Sequence, residues 1–398
     1  MKPFALFHKP RFPGELLKLN SSIKQISIIF FIYGIGWGIV APIFPIYIST
    51  LFGNYKSAGI LAAALEFFAL VFGLFLGPIL DKLQKKSLMS VALFLYLPFT
   101  PILFALSSIV QLMIFRVYHA AIATSLWLTG EAYVRQHSEK HKEAQSIGLF
   151  DFGTGAALVI GGFIGAAIVV SLGFNVIYAV SIFGGLAFIA SIYLPDKKTR
   201  TSLTSSLQGF SFKSLKASFK HFEKNKAASH FLYFLIPYYF IAAMMPLVIP
   251  LFVASRGGSL SLACLASALY YVPMLFESFF STTKKKHALL TLALCLGLTL
   301  FIILSVVTSV AIIFALTILL GICFAAISPI LSGHVTELLD KKKIGEQTSV
   351  IFASKSLAAC CGLLTAGFVA DGAGLKYVFM IGAATFMILL VLQKKMHM

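Results

Sequence analysis

The chain alternates long apolar stretches with short polar breaks. Apolar runs occupy 26–51, 57–80, 87–107, 109–130, 146–172, 174–194, 231–254, 260–280, 288–307, 310–333, 348–370 and 377–392. They are apolar on every side rather than on one face, as a helix immersed in lipid requires. A hydrocarbon core about 30 Å thick takes roughly 20 residues of helix. Some neighbouring runs merge, because no charged residue lies between Phe152 and Pro195 or between Ala288 and Thr336. Each merged stretch is about twice the spanning length and so predicts a hairpin. Gly173-Phe174-Asn175 and the stretch from Ser305 to Ser309 supply the turns. The strict alternation of a membrane β-barrel is missing. The pattern predicts an all-α membrane protein with twelve transmembrane helices.

Composition supports the same class. Hydrophobic residues make up 59% and charged residues 12% of the chain, against about 25% charged in soluble domains. The net charge of +18 would suit a nucleic-acid partner, but the placement of the charges argues otherwise. Of the 32 Lys and Arg, 27 fall at the N-terminus, in the bridge, in the tail and in alternate loops. The other loops hold only Lys56, Arg256 and Lys376, while Arg116 and Lys355 lie inside runs. Cytoplasmic loops are the ones enriched in Lys and Arg, so both termini are expected in the cytoplasm. That asymmetry accounts for the net charge without nucleic acid. The first run is long and lacks a clear small-residue cleavage site, and so reads as an uncleaved anchor. Cys264, Cys295, Cys323, Cys360 and Cys361 all lie in apolar runs, with neither disulfide nor metal-ligand spacing. No cofactor is implied.

Six runs, a polar bridge and six more runs suggest duplication. The expected organisation is an N-terminal bundle over 1–195, a basic linker over 196–227 and a C-terminal bundle over 228–398. Local matches follow in order. "VAPIFPIY" in the first run answers "MMPLVIPLF" in the seventh, each with paired prolines. "GPILDKLQKK" after the second run answers "ESFFSTTKKK" after the eighth. Glu131 with Arg135 answers Glu337 with Lys341. In the bridge, Phe212, Leu215, Phe219 and Phe222 recur at helical spacing beside Lys213, Lys216, Lys220 and Lys224. Such a helix suits the anionic inner leaflet; a calmodulin-like partner is the other reading.

In this layout the chain resembles a 12-helix transporter of the major facilitator superfamily, in its drug–proton antiporter branch. Gly77, Asp81, Lys82, Lys85 and Lys86 match the loop motif between helices two and three, with Gln84 in place of its second glycine. "GWGIVAPIFP" (36–45) matches the helix-one motif, and Arg116 stands at the helix-four arginine. "ALVIGGFIGA" (157–166) departs from the helix-five motif: Gly161 and Gly165 are kept, but Gly162 replaces proline and alanines stand at both ends. Tyr33 occupies the place of an acidic residue that several antiporters carry. The resemblance implies that Asp81 pairs with the end of helix four, with Arg135 as its candidate partner beside Glu131, as a cytoplasmic latch. The plainer reading is a loop anchor. The helix-five glycines imply close packing or a bend that blocks leak.

Ionisable residues inside spans are costly and become functional candidates. Here they are Glu66, Arg116, Asp151, Glu277 and Lys355. None falls on helices three, six, nine or twelve, which the resemblance places at the periphery. Arg116 lies some six residues, roughly 9 Å, from the outer end of its helix. Asp151 lies about as far from the inner end of helix five, too distant for a direct bridge to Arg116. Lys355 is expected near Asp151 in depth, and Glu277 near the inner boundary. Glu66 is the first candidate proton carrier, because a carboxyl near mid-membrane can load and release a proton; Asp151 is the second. A permanently paired Glu66 is the alternative. Arg116 would bind an anionic group or tune that carboxyl. Tyr33, Trp37, His119, Tyr270 and Lys355 are candidate cavity residues, with packing as the alternative for the rings.

The expected function is secondary active transport by alternating access. Export of a small amphipathic compound against protons ranks ahead of proton-coupled uptake of a nutrient or metabolite, which the changes at Gly162 and Tyr33 favour. A receptor or lipid-handling role on the same fold is a third reading. No metal-spaced His pair, nucleophile elbow or Gly-x-x-x-x-Gly-Lys-Ser/Thr loop is present, so neither an enzyme nor an ATP-driven pump is expected. The expected partners are a small-molecule substrate, protons and the bilayer, with no obligate protein partner. The expected location is a bacterial plasma membrane.

Overall fold

The computed structural model describes residues 20–80, 84–139, 143–195, 226–277, 280, 285–338 and 344–394. Its elements are helices: α1 (Ser21–Val40), α2 (Ile43–Phe52), α3 (Tyr55–Leu80), α4 (Lys85–Leu95), α5 (Phe99–Phe104), α6 (Ile109–His137), α7 (Glu143–Leu172) and α8 (Tyr178–Ile192). After the bridge, which lies outside the described residues, come α9 (Lys226–Ser255), α10 (Leu260–Tyr271), α11 (Lys286–Val306), α12 (Val310–Leu338), α13 (Ile344–Gly372) and α14 (Leu375–Gln393).

Among the described residues, ten helical stretches are long and apolar enough to cross a membrane. That count differs from the twelve runs at two places. Ser146–Ile192 forms one apolar stretch of 47 residues. It folds back through a short 3-10 turn, Gly173–Ile177, where Gly173 takes a φ of 54° that an L side chain would resist. Leu260–Phe276 is apolar but shorter, since α10 gives way to a 3-10 segment at Val272–Phe276 that contains Pro273.

Proline decides where two other runs break. The first divides at Ala41-Pro42 into α1 and α2, and the third divides at Tyr96–Pro98 into α4 and α5. A proline has no N–H and crowds the carbonyl four residues back, and in hydrocarbon the freed groups must find partners inside the protein. At the second break they do: the Tyr118 hydroxyl of α6 donates to the Leu95 carbonyl. Thr100 Oγ1 donates to the Ile177 carbonyl at 2.9 Å, tying α5 to the turn before α8. The paired prolines of the seventh run act differently, since α9 continues unbroken through Pro237, Pro246 and Pro250.

Close packing sets which helices are neighbours. α7 lies against α1, where a Cβ on Gly161 would fall 2.4 Å from the Ile35 carbonyl oxygen and 2.8 Å from Gly38 Cα. α3 lies along both α6 and α13, and α7 also meets α10. α9 packs on α13 through Gly362, whose added Cβ would stand 2.1 Å from the Phe240 carbonyl oxygen. Small residues permit such approaches between membrane helices. The aliphatic side chains of Val170 and Val306 point away from the protein, at 79% and 74% exposure, as lipid-facing groups do.

Hydrogen bonds define the two ends of the molecule. Asn20 Nδ2 donates to the His137 carbonyl at 3.5 Å, and Gln393 Nε2 to the His287 carbonyl at 3.1 Å. α3 runs antiparallel to α13, with Tyr55 beside Asp371 and Gly73 beside Phe352. Asn20 and Gln393 therefore lie at one end, and Tyr55, Asp371 and the start of α14 at the other.

Gly161→Ala is expected to destabilise the purified protein by about 1–3 kcal/mol, the usual cost of overpacking. Gly148→Ala, where an added Cβ meets nothing within 4 Å, should be neutral or slightly stabilising, because alanine favours helix. Thermal midpoints of the two variants in the same detergent check the difference. Equal midpoints would mean that α1 and α7 are not held this closely.

Candidate functional site

Arg116 and His119 occupy the same face of α6, one turn apart, and both are almost wholly buried at 4% and 2% exposure. Arg116 Nη1 donates to His119 Nδ1 at 2.9 Å. Arginine has donors only, so Nδ1 is the acceptor and the ring hydrogen is assigned to Nε2. The guanidinium carbon stands 4.1 Å from the centre of the Phe44 ring on α2, a cation–π contact strengthened by burial. The His119 ring stacks on Trp37 of α1, with centres 4.9 Å apart and planes 4° from parallel. Phe99 meets the same imidazole edge-on at 5.0 Å. Four helices therefore hold one arginine in a box of rings.

A second polar contact lies beside that box. The hydroxyls of Tyr33 and Tyr96 are 2.8 Å apart and buried. Tyr96 sits at the proline break between α4 and α5, which turns its side chain toward α1. Tyr33 is thus a core residue in an aromatic cluster, with its polar tip satisfied.

Glu66 is half-buried on α3. Arg116 is the charge to which its carboxyl responds, though the two do not touch as an ion pair. Across the contact with α13, Cys360 lies in the same field. α3 can reach both because it packs on α6 with one face and on α13 with another.

The remaining candidates divide into separate places. Asp151 is exposed on α7 and sits in the field of Glu131 and Arg135, which pair at 3.6 Å across one turn of α6. Glu277 is half-buried and its carboxylate lies within electrostatic reach of Asp151. Lys355 Nζ stands 4.6 Å over the Tyr239 ring. Tyr270 is buried against Tyr271 and Phe324. Gly161 and Gly165 face α1, while Gly162 faces Ala268 of α10. Of the loop motif, Gly77 belongs to α3, Lys85 is buried and Lys86 half-buried at the start of α4. Asp81 and Lys82 lie outside the described residues, as does any pairing of Asp81 with Arg135. Among the described residues, no three His, Cys, Asp or Glu side chains gather as a metal cage.

Sequence reasoning did not find Phe44 or Tyr96. Tyr96 carries a signal, a hydroxyl-bearing ring two residues before a proline inside an apolar run. Phe44 carries none, because its role depends on the break that brings α2 over Arg116.

A sequence profile of the Major Facilitator Superfamily matches residues 26–284 and 283–394. The chain belongs to the Major Facilitator Superfamily. It is therefore a multi-pass membrane protein of a transporter family and not an enzyme. In sequence it is similar to the quinolone resistance protein NorA of Staphylococcus aureus, 28% identical over 185 residues. That match covers 45% of this chain and 47% of NorA, so it spans about half the length of these curated relatives. In fold, the chain is similar to the nucleoside transporter NupG, with a TM-score of 0.74 and 13% identity over 95% of this chain and 99% of that one. It is also similar to the human organic anion transporter MFSD10 (TETRAN), with a TM-score of 0.70 and 14% identity over 96% of this chain and all of that one. At such identities these two establish the fold alone.

For a superfamily transporter, the box around Arg116 offers specific chemistry. His119 takes one guanidinium N–H, which leaves others free for a carboxylate or an anionic ligand. Glu66 supplies a carboxyl within electrostatic reach of that cation.

The Tyr33–Tyr96 pair gives a direct test of the aromatic core. Either Tyr33→Phe or Tyr96→Phe should destabilise by about 1–3 kcal/mol, because the partner hydroxyl is left buried and unpaired. The double variant should lose clearly less than the sum of the two. A double-mutant cycle on thermal or denaturant stability measures this; strict additivity would rule out the hydroxyl pair.

Proposed function

We propose that this protein is a secondary active transporter that exports a small amphipathic compound in exchange for protons, by alternating access. The observation that carries the reading is the buried, aromatic-boxed Arg116, with the carboxyl of Glu66 within its electrostatic reach. A membrane carboxyl that can take up a proton beside a fixed cation is suited to exchanging that proton for cargo. The helix-one and loop motifs and the partial similarity to a quinolone resistance protein support export. Twelve spans are proposed, counting α7 and α8 separately and taking α10 with the segment after it as one. They form two six-helix bundles over 1–195 and 228–398, joined by the basic linker. Both termini are proposed to face the cytoplasm of a bacterial cell, on the distribution of Lys and Arg. Asp151 is the second candidate proton site.

Proton-coupled uptake is the second reading. It is favoured by Gly162 where the helix-five motif has proline, and by Tyr33, which is a packed core residue rather than an acid.

Dye efflux from a pump-deficient bacterial host separates these readings. Export predicts efflux that a protonophore stops and that Glu66→Gln reduces at least tenfold, in the manner of a lost essential step. Efflux retained in Glu66→Gln would move the proton site to Asp151. Absence of efflux from well-expressed, membrane-inserted protein would place uptake first.

A further inference from the structure

At the end remote from Asn20 and Gln393, the two parts of the chain are joined by a contact that no sequence motif announced. The backbone N–H of Tyr55 donates to Asp371 Oδ1 at 3.0 Å, between residues 316 apart in sequence. Tyr55 is the first residue of α3, and the opening N–H groups of a helix have no partner within it. Asn54 already serves as the local cap, its Oδ1 accepting the Ser57 N–H at 2.8 Å. Tyr55 is thus left to an acceptor from elsewhere, and the last turn of α13 provides one. A carboxylate there also meets the positive end of the α3 dipole.

Two further contacts lie within a turn or so. A Cβ on Gly59 would fall 2.5 Å from Gly367 Cα, so backbone touches backbone. Lys56 Nζ stands 4.7 Å over the Phe368 ring. α2, which ends at this same end, also reaches α9 and α10. Near the other end of the α3–α13 contact the partner of Gly73 is the Phe352 ring, a side chain that can swing aside. Among the described residues, Asp371 is the only acidic one that adjoins the short loops of this end.

We propose that Asp371 is the latch of this end: by accepting the Tyr55 N–H it holds α3 to α13, and the bond breaks each time this side opens. The inference rests on the alternating-access reading but on neither the cargo nor its direction. Under the orientation proposed above, the latch closes the outer side, opposite the loop carrying Asp81. The contacts at Gly59 and Lys56 allow a tight seal, while the hydrogen bond makes the seal reversible, since both partners can be hydrated once apart.

The test reads distances between spin labels, in a background with the native cysteines replaced. One label pair, Thr50→Cys with Tyr377→Cys, spans the latched end; another, Gln84→Cys with Lys394→Cys, spans the opposite end. Asp371→Ala removes the acceptor. Tyr55→Pro removes the donor at a position where helices tolerate proline, and Tyr55→Ala removes the ring but keeps the N–H. Asp371→Ala and Tyr55→Pro should each raise the open-to-closed ratio at the latched end by about three- to tenfold, as expected for one solvent-exposed hydrogen bond. The opposite pair should move closer in step, and Tyr55→Ala should resemble wild type. Gly367→Leu, which wedges the helices apart, verifies that the labels report opening.

Distances unchanged in Asp371→Ala, or in Tyr55→Pro relative to Tyr55→Ala, while Gly367→Leu lengthens them, would overturn the latch. Either variant suffices if the other fails to fold. Because no substrate enters the measurement, a failed efflux assay leaves it untouched, and unchanged distances leave the export reading intact.

Discussion

A peptide group in hydrocarbon has no water to fall back on, and this constraint governs nearly everything else in the molecule. It makes the described elements helical and calls for partners within the protein where the backbone departs from a helix. At the proline break of Tyr96–Pro98, the Tyr118 hydroxyl donates to the Leu95 carbonyl and Thr100 Oγ1 to the Ile177 carbonyl. The functional candidates gather at such repairs. Tyr96 points to Tyr33 because of the break, and Phe44 covers Arg116 because α2 starts anew after Pro42.

The same constraint explains why so few charges lie within the spans and why each has company. Arg116 is enclosed by His119 and Phe44 and answers to Glu66. Lys355 lies over Tyr239. Asp151 is drawn into the field of the Glu131–Arg135 pair. A charge that is both costly and well surrounded is a place where a proton or an ion can change the energy of the whole assembly, and this links packing to the proposed exchange. The glycines of α7 contribute in two directions, with Gly161 and Gly165 meeting α1 and Gly162 meeting α10. One helix is thus shared between its own neighbours and a helix from beyond the bridge.

Much of this was legible along the chain. The apolar runs foretold the helices, because spanning length and freedom from charge are local properties of sequence. They foretold the fold-back near Gly173 for the same reason, and the five intramembrane charges stand out in any reading. The resemblance to the superfamily rested on short motifs around Gly36, Arg116 and Gly77, and the family assignment agrees with it. The breaks were less legible. Paired prolines stand in both the first and seventh runs, yet only the first run divides there, and α9 passes through Pro246 and Pro250 intact. Whether a proline breaks a helix depends on what neighbouring helices offer the freed groups, which lies outside the local sequence.

Sequence alone therefore determined the class of the molecule, the position of its helices and the identity of its costly charges. Each follows from transfer between water and lipid, residue by residue. Only the tertiary structure decided the partners. That Tyr33 would bond Tyr96, that Trp37 would stack on His119 and that Asp371 would cap a helix 316 residues away depends on which helices lie side by side. In lipid that choice is made by close packing between small residues and by a handful of directed bonds, and neither leaves a periodic trace in the chain.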